Sequence, residues 1–257
     1  MITSPRCVAL FLTLLFAASV NADAATIFLS GDVNILTSLD GSFGDLVNPG
    51  NQQFFKNILG SGTHVVIHDA SAAPFSGALI NTVNTFYSSL SGVSSSVLSG
   101  SVTSAALSGA NLFISMLPGT EFSAEAVFAL STFGGDILFI GDSAEFPEYV
   151  ADNTRINAAL SGLGSSMSLL STTFGRGGAV ARGSQIAADD PYTLGITAFS
   201  FSVPSEISVG RGKALVFGRR GEPFVGYEVV GVPESASLIL IGLGLGGLSF
   251  VRRNVRL

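Results

Sequence analysis

The stretch from Asn111 to Asp142, NLFISMLPGTEFSAEAVFALSTFGGDILFIGD, decides the fold class. Asn111 to Met116 is an unbroken apolar run of strand length, ended by Leu117-Pro118-Gly119. Ser123 can then cap a helix whose apolar positions Val127, Phe128, Leu130 and Phe133 recur at helical spacing, and Gly134-Gly135 stops it. Ile137 to Ile140 follows as a second apolar strand, entering the turn Gly141-Asp142. Strands apolar on both faces, joined through a helix, are the mark of a parallel sheet covered on both sides.

The pattern extends outward in both directions. Upstream, Thr26 to Leu29 reads as a short strand running into Ser30-Gly31-Asp32, and Gln52 to Leu59 as a helix stopped by Gly60. Thr63 to Ile67 is a further strand, followed by a helix from about Ser76 to Leu90. Ser88 to Gly109 carries no charge and reads as a Ser/Gly-rich loop with short pieces of structure in it. Downstream, a helix is expected from about Asn153 to Leu163, then strands at Met167 to Thr172, Ile196 to Phe201 and Ala214 to Phe217 with few helix signals between them. The expected class is therefore α/β: a mostly parallel sheet with helices on both faces and a more β-rich C-terminal part.

The two ends read differently. Arg6 precedes an apolar run from Cys7 to Val20, followed by small residues in Val20-Asn21-Ala22 and Ala22-Asp23-Ala24. Fourteen apolar or small residues are too few for a membrane span, which needs about 20, and match the core of a signal peptide over residues 1–24. Cys7 is the only cysteine, so its removal leaves a mature chain without disulfide, thiolate or Cys-based metal site. At the other end, Val232-Pro233-Glu234-Ser235 leads into Ala236 to Val251, free of charge and rich in glycine, then Arg252, Arg253 and Arg256. Sixteen such residues rise roughly 24 Å as a helix, short of a hydrocarbon core of about 30 Å. Local thinning and arginine snorkelling close the gap, and the arginines place that flank in the cytoplasm.

Between these ends, residues 25–231 carry eight Lys plus Arg against sixteen Asp plus Glu, a net charge of 8 − 16 = −8. Such an acidic domain is soluble and unsuited to polyanionic partners, nucleic acid included.

The ending, with Val232, Pro233, Glu234 and the cluster Arg252, Arg253, Arg256, resembles the PEP-CTERM sorting signal of Gram-negative bacteria, with Ser235 where the usual motif repeats proline. That resemblance implies export by way of signal peptidase, recognition of the tail by an inner-membrane exosortase, cleavage near Pro233-Glu234, and a destination at the cell surface or in an extracellular or biofilm matrix. The central region, through Leu112-Phe113-Ile114, the Ser123 to Phe133 helix, Ile137 to Asp142 and Asp190-Pro191-Tyr192-Thr193-Leu194-Gly195-Ile196, resembles the class I glutamine-amidotransferase-like fold, a flavodoxin-like relative, over about residues 26–218.

The amidotransferase chemistry does not carry over. It needs a cysteine thiolate on the sharp turn after a central strand, with a histidine and an acid to activate it. Here Asp142 or Ser143 occupies that turn. Gly141-Asp142-Ser143-Ala144-Glu145 lacks the second glycine of a nucleophile elbow, and no histidine lies downstream. His64 and His68, at i and i+4 on one strand, stand about 13 Å apart and cannot share a zinc ion. Asp142, Glu145, Glu148 and Asp152 form an acidic loop at a strand's carboxyl end, a candidate oxygen set for calcium without EF-hand spacing, and Asp32, Asp40 and Asp45 are a second. Gly175-Arg176-Gly177-Gly178 lacks the strand, Lys and Ser/Thr of a phosphate loop and reads as a turn.

The expectation is a non-catalytic surface or matrix protein, with no cofactor, that binds an extracellular ligand such as exopolysaccharide. The alternatives are a secreted hydrolase of surface carbohydrate or ester using the Asp142/Ser143 loop, and a purely structural matrix protein.

Overall fold

The computed structural model describes residues 25–36, 46, 48–70, 76–175 and 178–231. The signal segment 1–24, the sorting residues Val232, Pro233, Glu234, Arg252, Arg253 and Arg256, the apolar tail 236–251, and Asp40, Asp45, Arg176 and Gly177 lie outside them. Among the described residues no helix is long and apolar enough to cross a membrane.

The described elements run β1 (Ala25–Ser30), a 3-10 turn (Val33–Leu36), α1 (Pro49–Leu59), β2 (His64–His68), α2 (Ser76–Ser89), β3 (Ser94–Leu98), β4 (Leu112–Met116), α3 (Ala124–Ser131), β5 (Asp136–Ile140) and α4 (Pro147–Gly162). They continue with β6 (Ser168–Thr173), β7 (Ala179–Arg182), a 3-10 turn (Gly183–Gln185), β8 (Ala198–Phe201), β9 (Ser205–Ser208), β10 (Lys213–Phe217) and β11 (Pro223–Val230). Seven strands form one sheet in the order β10-β11-β1-β5-β4-β2-β3. β1, β5, β4, β2 and β3 are parallel, and β11 and β10 close one side antiparallel. β6 pairs with β9 and β7 with β8 as two-stranded ribbons.

The parallel strands behave as their sequence demands. β4 is buried at every position and β5 at all but its first, so neither face meets water. Phe28, Val65, Ile67, Ile114, Leu138 and Ile140 point to one face, where α1 brings Phe54, Phe55 and Ile58 and α2 brings Leu79, Val83 and Tyr87. Ile27, Leu29, Val66, Phe113, Ile137 and Phe139 point to the other, against Ala126 and Leu130 of α3 and Ile156 and Leu160 of α4. Caps set the helix starts. Asn48 Oδ1 accepts from the backbone N–H of Gly50 and Asn51 at 3.0 and 3.3 Å ahead of Pro49, and Ser123 Oγ accepts from Ala126 N–H at 3.2 Å.

The Ser/Gly-rich stretch holds a short piece of structure, the edge strand β3, whose Ser94, Ser95 and Ser96 give no apolar alternation because the strand is mostly exposed. Two expectations need correction. The helix expected from Asn153 begins six residues earlier, at Pro147, so Glu148 and Asp152 are helical and not part of an acidic loop. β7, β9 and β11 were not foreseen, and β11 is the eight-residue antiparallel neighbour of β1.

Candidate functional site

Two Gly-Asp steps end two adjacent parallel strands. β1 runs Ile27-Phe28-Leu29-Ser30 into Gly31-Asp32, and β5 runs Ile137-Leu138-Phe139-Ile140 into Gly141-Asp142. The strands pair residue for residue, Ile27 to Ile137 through Ser30 to Ile140. Gly141 N–H extends the ladder by donating to Ser30 O at 2.8 Å. Both aspartates therefore leave the carboxyl edge side by side. The chain after β1 crosses over the face of α1 and α2, and the chain after β5 over the face of α4. Adjacent strands whose connections depart to opposite faces form a topological switch point, where open α/β sheets place their ligands.

Glycine is required at both steps because backbone and side chains press close. A Cβ on Gly31 would stand 2.0 Å from Ser205 O, and one on Gly141 2.4 Å from Asn153 Oδ1. Gly31 is held from two sides, its N–H donating to Phe224 O and its carbonyl accepting from Ser205 N–H, each at 2.8 Å.

Asp32 and Asp142 are both buried. Asp32 Oδ1 accepts from the backbone N–H and side-chain amide of Asn34 at 2.8 and 2.9 Å, and Oδ2 accepts from Ser202 N–H at 2.6 Å. Asp142 Oδ1 accepts from Ser143 N–H at 2.8 Å. Its backbone is gripped as well: N–H donates to Asn153 Oδ1 at 3.1 Å, and the carbonyl accepts from Asn153 Nδ2 and Ser205 Oγ, each at 2.7 Å. Burial, then the neighbouring Asp32 charge, push the Asp142 carboxyl up to about 8, against smaller opposing bonds from Ser143 and Val33. Burial likewise raises Asp32, against its bonds to Ser202 and Asn34. At neutral pH the pair holds a proton, the arrangement expected of two like charges forced together.

Of the second acidic set read from the sequence, Asp32 stands beside Asp142, while Asp40 and Asp45 lie outside the described residues. The signal was present as an internal echo, IFLSGD at 27–32 and ILFIGD at 137–142, and is recognisable only when the two steps are compared. The other predicted residues spread out. Ser143 is 2% exposed, and its Oγ accepts from Glu145 N–H at 3.2 Å. Glu145 Oε1 accepts from Thr173 Oγ1 at 3.1 Å, and Asp152 pairs with Arg155 at 2.6 Å. Among the described residues no three His, Cys, Asp or Glu side chains are grouped to hold a metal ion. His64 Nε2 meets Ser96 Oγ and His68 Nδ1 meets Ser115 Oγ, each at 3.3 Å, so the two rings serve separate serines on β2's two neighbours. His68 lies between the rings of Phe113 and Phe122, with burial lowering its pKa. β4 separates it from β5 and Ser143.

The arrangement ties the turns after β1, β8 and β5 to the start of α4. A protonated carboxyl at neutral pH is what a general acid needs; among the described residues the adjacent Ser143 is buried and bonded to Glu145 N–H, and neither imidazole reaches it.

Sequence reasoning also missed Phe146 and Tyr149, at the start of α4 beside this pair. Their rings meet edge-on with centroids 5.6 Å apart. Tyr149 packs against the core of the opposite face, which places it over the carboxyl edge. Burial, then the charges of Asp142, Glu148 and Asp152, push its hydroxyl up to about 12.

No protein-family model matches the chain, and no curated protein matches it. A solved structure described as "mmIFT52 N-terminal domain" is similar over 59% of this chain and 76% of its own, at 19% identity and a TM-score of 0.43.

Proposed function

We propose that this is an exported surface or matrix protein, sorted by an exosortase through its tail, that binds an extracellular ligand without turning it over. Its central body is a flavodoxin-like relative of the class I glutamine amidotransferases with a more β-rich C-terminal part, and exopolysaccharide is the leading ligand class. The observation that carries the non-catalytic reading is the turn after β5. The position of the family's thiolate holds Asp142-Ser143, and Ser143 is buried and bonded to Glu145 N–H rather than to a base. The ends carry the sorting half of the reading, through the apolar run Cys7 to Val20 and the tripartite tail from Val232 to Arg256.

The experiment expresses the full chain in an exosortase-bearing, polymer-secreting host and follows processing, surface release and co-sedimentation with the polymer. Wild type is expected at the surface, shortened at its C-terminus. Pro233→Ala with Glu234→Ala is expected to stay uncleaved in the membrane fraction, and equal release of the two would overturn the sorting claim. The hydrolase reading draws on the protonated Asp142. An ester and glycoside panel tests it, because any turnover abolished by Ser143→Ala or Asp142→Asn would sink the binding-only reading.

A further inference from the structure

Phe146 breaks a local rule at the start of α4. It is the N-cap residue, a place that favours Ser, Thr, Asp or Asn, and it makes no side-chain capping bond. Phe146 is 49% exposed beside Val150, itself 41% exposed. A phenylalanine here forgoes a cap and leaves apolar surface in water, and departures of this kind without a return in stability mark functional positions. Tyr149 braces the exposed ring edge-on. The charges of Asp142, Glu148 and Asp152 reach Tyr149, and Glu145 directly precedes Phe146 with its Oε1 accepting from Thr173 Oγ1 at 3.1 Å; the cation of this segment, Arg155, is engaged by Asp152 and by Pro118 O at 3.2 Å.

We propose that Phe146 and Tyr149, with Glu145 and Glu148, form a binding platform at the switch point for a polysaccharide bearing free amino groups, of the glucosamine type. The claim rests on the polysaccharide reading above and names its chemistry. Phe146 offers an apolar face and no hydrogen bond, and the carboxylates of the glutamates offer acceptors and no donor. The complementary ligand presents a C–H face to stack, hydroxyl donors for the carboxylates, and an ammonium group for both carboxylate and ring. An amino sugar has all three. An anionic polymer would be repelled by the patch and by the net charge of −8 across residues 25–231 (8 − 16).

The test titrates the full-length chain in detergent micelles with a glucosamine hexamer, an N-acetylglucosamine hexamer and an oligolysine of matched charge, at low and high salt. The glucosamine hexamer is expected to bind at least about ten-fold tighter than either control and to weaken in salt. Phe146→Ser and Glu148→Gln are each expected to weaken it by about ten-fold or more. Phe146→Ser supplies a cap, so it should melt no lower than wild type, which separates lost binding from lost folding. Equal affinity for the N-acetyl hexamer or for oligolysine, undiminished binding by both variants, or no binding by wild type would each overturn the proposal. Co-sedimentation separates the two claims. A host polymer that carries down wild type and Phe146→Ser alike leaves the broader reading standing and removes the platform. Hexamer binding without polymer association removes the broader reading and keeps the platform.

Discussion

At Asp142 the fold keeps a proton that water would take away. An aspartate in the unfolded chain titrates near 3.9, and in the folded protein Asp142 is pushed up to about 8. Between those values the native state binds more protons than the unfolded state, so stability falls as pH rises through the window and the whole cost is present above it. Asp142→Asn keeps the amide-accepting oxygen and removes the titration. Its urea midpoint is expected to exceed that of wild type near pH 8, to match it near pH 4, and to fall less steeply between. A variant with the wild-type pH slope would place the proton elsewhere. Asn153→Ala tests the same site from the side of α4. It removes the acceptor for Asp142 N–H and a donor to Asp142 O, and should cost about 2 kcal/mol by urea denaturation.

At the scale of elements, the approach of β5 to α4 leaves no room at Gly141, where an added Cβ would also meet Leu169 at 2.6 Å. Gly141→Ala is expected to destabilise by about 2 kcal/mol and to weaken the Asn153 bonds, visible as faster amide exchange at Asp142. A variant as stable as wild type would show that α4 can retreat. The same elements explain what was readable beforehand. β4 and β5 announce themselves because both faces are covered and every position after Asp136 of β5, like every position of β4, is apolar or small. β3 is silent because an exposed edge strand of serines has no alternation to find. β11 is silent because Pro223 starts it and Gly226 interrupts it, the latter forced by Lys213 O, 2.7 Å from where a Cβ would sit. The start of α4 was missed for the reason that makes it interesting, since Phe146 stands where a capping side chain would have signalled the helix. Of the site, Asp142 was legible as the end of an apolar strand. Its pairing with Asp32 depends on β1 lying next to β5 across 110 residues of chain, and local pattern carries no such information.

At the scale of the molecule, another buried carboxylate opposes Asp142. Glu228 of β11 accepts from Ser165 Oγ at 2.8 Å, Ser166 N–H at 2.6 Å, Ser166 Oγ at 3.1 Å and Arg211 Nε at 2.9 Å. Burial pulls its pKa upward, but these donors outweigh it and hold the carboxyl below its ordinary value. Its stabilisation is present above the ordinary carboxylate range and is lost as pH falls through the lowered pKa, the reverse of Asp142. Glu228→Gln should cost about 2 kcal/mol at neutral pH and blunt acid unfolding, measured by thermal melts from pH 7 down to about 3. An unchanged acid limb would remove Glu228 from that role. The sheet also brings the two ends of the body together, with Ala25 opposite Val230 on β1 and β11. The chain from 25 to 230 is thus almost a closed ring with a seam. A short linker from 230 to 25, with new ends opened at the exposed turn around Gly92, should yield a circular permutant that still unfolds in one cooperative step. The six residues of β1 separate that seam from the paired aspartates by roughly 20 Å, so dyes at the seam and beside Phe146 would make an internal ruler.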